Sequence, residues 1–113
     1  ENHPHVGRET GSFLNSLGGA PAVILAFLLK PDYQDKEAMN QSVAAALQNM
    51  SLAAYELGLG SCWLTSANAA NLQEELRQAF APDKGDYIAM LTLGYPKIAP
   101  KAPPRKEGRY SII

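Results

Sequence analysis

The sequence predicts an α+β domain in which one long central helix packs on a β-sheet and an extended arm closes the chain. Three features carry that prediction. Two apolar runs of strand length, AVILAFLL at 22–29 and DYIAMLTL at 86–93, lie far apart in the chain. Between them stands a stretch of about 20 residues whose apolar positions recur at helical spacing. The final stretch carries Pro100, Pro103 and Pro104, which suit an extended arm and no helix.

Taken in order, residues 1–20 hold glycines at 7, 11, 18 and 19 and little periodicity, so they read as loop with a short helical turn around Ser12–Leu17. The first strand follows Pro21. It is rich in β-branched residues and has no polar alternation, the pattern of a strand covered on both faces in the middle of a sheet. Lys30-Pro31-Asp32 closes it with turn chemistry. From Asp35 the period becomes 3.6, with Val43, Ala46, Leu47, Met50, Ala53, Ala54 and Leu57 on one stripe. Asp35 is placed to cap this helix, Glu37 sits where the helix dipole favours an acid, and Gly58 follows the last periodic residue. At 1.5 Å per residue the helix is about 30 Å long, the width of a small domain. Its alanines at 44, 45, 46, 53 and 54 let another element approach closely.

Ser61–Leu64 is a short extended segment. Asn71 and Glu74 have the spacing of a capping box for a second helix, with Leu72, Leu76, Ala79 and Phe80 as its buried stripe. Residues 81–85 (APDKG) make a turn into the second apolar strand, which Gly94-Tyr95-Pro96 stops. Three strands and two helices make a thin core, and the arm has no docking surface of its own. A partner subunit is therefore expected.

Composition narrows the functional classes. Of 113 residues, 46% are hydrophobic and 19% charged, which is globular. No apolar run approaches the ~20 residues of a membrane span, and no basic segment precedes 22–29 as in a signal peptide. A lone cysteine excludes an internal disulfide framework and fits a reducing, cytoplasmic setting. The net charge of −1 argues against a general nucleic-acid or membrane surface. The charge is uneven, however. Lys97, Lys101, Arg105, Lys106 and Arg109 are half of the 10 basic residues, with only Glu107 against them after Pro96. A basic tail on a slightly acidic domain calls for an anionic partner.

Side-chain chemistry is sparse. His3 and His5 have no third ligand at metal spacing and read as surface histidines. Neither is linked by context to Cys62, which reads as a small buried hydrophobe facing the core rather than a nucleophile. No Ser-His-Asp set, paired carboxylates or phosphate loop occurs. No catalytic residue and no metal ligand is therefore assigned, and any enzymatic chemistry would come from a cofactor. The run GLGSCWLTSAN at 58–68 is open to two readings. Either a helix ends at Gly58 and turns into a buried strand with Trp63 in the core, or Gly58 and Gly60 bring the backbone close to a planar ring lying along Trp63–Ser66.

Three segments in order, QNMSLAAYELGLGSCWLTSAN (48–68), DYIAMLTLGYPKIAP (86–100) and PPRKEGRYSII (103–113), resemble the C-terminal half of the nitroreductase family of FMN-dependent oxidoreductases. GGAPAVILAF (18–27) resembles the strand that precedes them. The resemblance covers about residues 17–113 and implies a nitroreductase-like α+β fold: a long central helix on a mixed sheet, with the C-terminal arm crossing to a second copy. It implies a homodimer with FMN at the interface, taking electrons from NAD(P)H to a nitroaromatic, quinone or similar acceptor. Carried over by position, the ring would lie against Trp63, Leu64, Thr65 and Ser66. Arg105, assisted by Lys106 or Lys101, would hold the flavin phosphate.

Two departures stand beside this. Thr65 or Ser66 occupies a place where the family often has glycine. The family's N-terminal half, with its arginine-rich opening motif and its asparagine-containing segment against the ring, is absent before Glu1. The chain 1–113 is accordingly read as the C-terminal portion of a single domain. These departures keep a second reading open, a dimerisation or interaction module of the same fold that holds no flavin.

Overall fold

A computed structural model of the chain describes residues 15–99, 101–109 and 111–112. Strand β1 (Ala22–Phe27) leads through a turn at 31–32 to helix α1 (Lys36–Glu56). Strand β2 (Gly60–Leu64), a single helical turn α2 (Ser66–Ala69), helix α3 (Gln73–Phe80) and strand β3 (Tyr87–Gly94) follow. The expected α+β fold is thus present, with α2 as an addition that the sequence pattern had not revealed. Of the helical turn expected around Ser12–Leu17, the described residues 15 and 16 are helical and run into a 3-10 turn at Leu17–Gly19. Residues 12–14 of it, with His3 and His5, lie outside the described residues.

The sheet order is β1-β3-β2, so the last strand in the chain is the central one. β3 is buried almost throughout, with Leu91 wholly enclosed, whereas β1 is only half-buried. This corrects the placing of 22–29 in mid-sheet. Both apolar runs read alike, but among the described residues only β3 has a hydrogen-bonded strand on each side. β1 does pack on both faces, as its composition implies: Ile24 and Ala26 on one cluster, Val23, Leu25 and Phe27 on the other. A second correction concerns pairing. Among the described residues both neighbour pairs are antiparallel, so the mixed sheet is not seen. β1 and β2 run in the same direction only as the flanks of β3.

Register assigns the faces. Leu91 opposes Ile24 and Trp63, and with Ala89 it packs under Leu47 of α1. Met90 opposes Leu25 and Leu64 on the reverse face, where Tyr87, Ala67 and part of Leu76 complete a second cluster. Phe27 and Tyr87 meet there edge to face, 5.7 Å between centroids. The pairing slips between Ala26 and Phe27, leaving Ile88 as an extra residue in β3.

Helix α1 starts as its sequence indicates: Asp35 accepts the Ala38 N–H at 3.0 Å. It ends in a Schellman motif, with Gly58 N–H on Tyr55 O and Leu59 N–H on Ala54 O. Gly58 has φ 74°, which glycine adopts without penalty. Of the seven-residue stripe, Leu47 and Ala54 are buried and Val43 is half-buried; Ala46, Met50, Ala53 and Leu57 are exposed. Alanine, leucine and methionine surround most of this helix, and the sheet covers one side of it. The second helix departs further. Its N-cap is Leu72, not Asn71, and Leu72, Ala79 and Phe80 are exposed, leaving Leu76 as the packed residue. Asn71 instead takes a left-handed conformation (φ 57°), a role asparagine tolerates better than most residues.

Candidate functional site

The stretch 58–68 turns out of α1, crosses the sheet edge as β2 and re-enters a helix at Ser66. Cys62 is exposed, which corrects its expected burial. The pleat explains it: Trp63 shares the α1 face with Leu91, so Cys62 must point to the reverse face, beside Thr92, at an edge that no described strand covers. Trp63 is itself 37% exposed. Leu64 turns into the reverse-face cluster. Gly60 lies in the strand, where an added Cβ would meet Pro96 and Gly94 at ordinary contact distance, and the positive φ in this turn belongs to Gly58 alone.

Thr65 is exposed and forms the N-cap of α2 without a side-chain bond. The first helical bonds are Asn68 N–H and Ala69 N–H to Thr65 O, at 3.1 and 3.2 Å. The peptide N–H groups of Ser66 and Ala67 precede them and have no partner within the helix. Asn68 fastens this turn, donating from Nδ2 to the Ile88 carbonyl at 3.0 Å, the residue that the bulge releases from β1. The partly exposed indole and the two peptide donors unused by the helix therefore stand on a segment tied to the central strand. Asn68 is a positioning residue that the sequence reading missed; its signal was the S-A-N-A run after a strand.

Asn68 Oδ1 and the Tyr87 hydroxyl are buried without partners, and burial pushes the Tyr87 pKa up. Both residues border a polar cavity of about 400 Å³, with Arg77 and Asp86 on its wall. Elsewhere, Leu52 and Tyr55 of α1 and Ile98 of the arm border an apolar groove of about 700 Å³.

The arm after Pro96 is neither helix nor strand in its described residues, and all of these are exposed. Arg105 and Lys106 line a concavity of about 460 Å³ with Pro103, Pro104 and Arg109. None of residues 63–66 borders it, so within one chain the two halves of the expected site do not share that concavity. Among the described residues no group of three His, Cys, Asp or Glu side chains is placed to hold a metal, and no helix is long and apolar enough to cross a membrane.

Among solved structures, the chain is similar to a BluB-like flavoprotein from Clostridium difficile 630, with a TM-score of 0.61 and 28% identity. The likeness covers 94% of this chain and 63% of that one, so the chain spans less than two thirds of the flavoprotein's length. None of the curated proteins matches. The model of the nitroreductase family matches residues 4–95, which takes in Trp63–Ser66 and stops short of Arg105 and Lys106. With that match over most of its length, the chain belongs to the nitroreductase family.

Proposed function

We propose that the chain forms part of an FMN-dependent oxidoreductase of nitroreductase type that uses NAD(P)H and reduces a nitroaromatic, a quinone or a similar acceptor. The observation that carries this reading is the segment after β2. A partly exposed indole precedes two peptide N–H groups that no helical carbonyl uses, and Asn68 holds the segment against β3. A planar ring with acceptor atoms along one edge fits such a surface. When bound, FMN supplies the redox chemistry of the reaction. Trp63 would shield one side of the ring from water, while Leu64, whose side chain packs in the reverse-face cluster, would approach it through its backbone. The backbone at Thr65 and Ser66 would bond its edge, and Arg105 with Lys106 would hold the phosphate.

The concavity at Arg105 is built from the arm alone and excludes residues 63–66. That separation supports a site shared between two copies, each lending its arm to the other. A homodimer with FMN at the interface is accordingly part of the proposal.

The test is the visible spectrum after reconstitution with FMN and dialysis. The reading expects retained flavin absorption in the parent and a protein that turns colourless on dialysis for Arg105→Ala. Arg105→Ala protein that retains flavin as the parent does removes the phosphate role. A parent that never takes up flavin favours the alternative, an interaction module of the same fold.

A further inference from the structure

The polar cavity lies apart from the segment 63–66 and from the arm, neither of which contributes to its wall. Asn68 of α2 and Tyr87 and Ile88 of β3 border it, with Glu74 and Arg77 of α3 and Asp86 just before the strand. Its volume of about 400 Å³ falls within the range of small-molecule sites.

Among the described residues, two buried side-chain polar atoms lack a partner, Asn68 Oδ1 and the Tyr87 hydroxyl, and both belong to residues of this wall. Buried polar groups in folded proteins are nearly always paired, so each calls for an occupant. Their chemistry differs. Asn68 spends Nδ2 on the Ile88 carbonyl at 3.0 Å, so the atom left over is Oδ1, which only accepts. Tyr87 is 3% exposed, and burial keeps its phenol protonated, so its hydroxyl has a proton to donate.

The charged groups of the wall are already answered. Arg77 bonds both Glu74 oxygens and the carbonyls of Pro82 and Lys84, and Asp86 pairs with Lys36. No unpaired charge is left on them to draw in an ion of either sign. A carboxylate also has no proton to offer Asn68, and an ammonium has no acceptor for the Tyr87 proton. A carboxamide carries both groups without charge.

We propose that this cavity binds a small neutral carboxamide, whose N–H pairs with Asn68 Oδ1 and whose carbonyl accepts from the Tyr87 hydroxyl. The site goes beyond the FMN reading and does not depend on it.

Benzamide, benzoate and benzylamine share one ring and differ in the group they present, so their affinities for the full chain test the proposal. Binding is read from the Tyr87 ring and Asn68 side-chain amide signals in NMR titrations of the parent and of Tyr87→Phe. That variant keeps the ring on Phe27 and loses only the hydroxyl, so its fold should persist. The parent is expected to bind benzamide ahead of the other two. Tyr87→Phe should bind benzamide about three- to tenfold more weakly, the worth of one hydrogen bond. Benzoate or benzylamine binding as tightly as benzamide overturns the assignment of a neutral amide. Equal benzamide affinity in parent and variant overturns the role of the hydroxyl. A parent that binds none of the three, together with a higher melting temperature for Tyr87→Phe, makes the hydroxyl a buried orphan and removes the site.

Discussion

A β-carbon on Gly85 would overlap the Lys30 carbonyl oxygen and stand 2.7 Å from the Leu28 Cβ. The crowding follows from a close backbone crossing, in which Gly85 N–H donates to Leu28 O and Leu28 N–H to Asp86 O, extending the β1–β3 pairing past Phe27. The obstacles are backbone and a β-carbon, which cannot swing aside. Gly85→Ala is therefore expected to cost about 2 kcal/mol or more, read as a lower denaturant midpoint. Gly58→Ala meets no atom within 4 Å and carries only the left-handed penalty, about 1 kcal/mol. Equal midpoint shifts for the two would mean that the crossing at Gly85 relaxes freely. The sequence announces Gly58, which follows a helical period, but not Gly85, whose neighbours come from residues 28–30. Cys62 repeats the lesson. Alternation says that Cys62 and Trp63 face opposite ways, and only the register against β3 says which of them meets α1.

Among the elements, α1 was legible because its determinants are local: the period, the Asp35 cap and the Gly58 stop. Strand order was not, because two equally apolar runs compete for the centre and a distant pairing decides between them. Helix α3 failed more instructively. It has no buried residue, and Leu76 is the one side chain packed on the second cluster. Polar contacts hold it instead. Arg77 bonds both Glu74 oxygens, at 2.9 and 2.7 Å, and the Pro82 carbonyl at 2.9 Å, tying the helix to the turn before β3. Arg77, then Gln78, lowers the Glu74 pKa from 4.5 to about 2. A depressed carboxylate contributes stability above its unfolded pKa and loses it as pH falls through the folded one. The melting advantage of the parent over Glu74→Gln is expected to be constant above pH 4.5, to shrink as pH drops toward 2 and to vanish below that. The effect is small, since Glu74 is exposed and water screens the pair. An advantage that persists unchanged below pH 2 would assign it to something other than this ion pair.

At the scale of the whole molecule, the surface area is what the sequence could not disclose. The chain exposes 9158 Å² and has a radius of gyration of 16.5 Å. A self-contained monomer of 12.2 kDa exposes about 6,100 Å² and a compact domain of this size has a radius near ~13 Å. The excess of about 3,000 Å² is surface that a compact monomer of this mass would bury. It is apolar where it is densest: Leu52 is 59% exposed, Tyr55 81% and Leu57 75%, all toward the end of α1, with Tyr95 and Ile98 at the start of the arm. A helix apolar around most of its circumference belongs inside an assembly. Leu52→Glu places a charge in this patch without touching Leu47, Ala89 or Leu91, so the sheet and α1 should stay folded by circular dichroism. The expected outcome in sedimentation is a dimeric parent and a predominantly monomeric variant. FMN should dissociate in step, because Trp63–Ser66 and the arm cations would then have no common molecule to close upon. A Leu52→Glu protein that remains dimeric would clear this side of α1 of any role in assembly. One that becomes monomeric yet keeps its flavin would show that a single chain suffices to hold FMN.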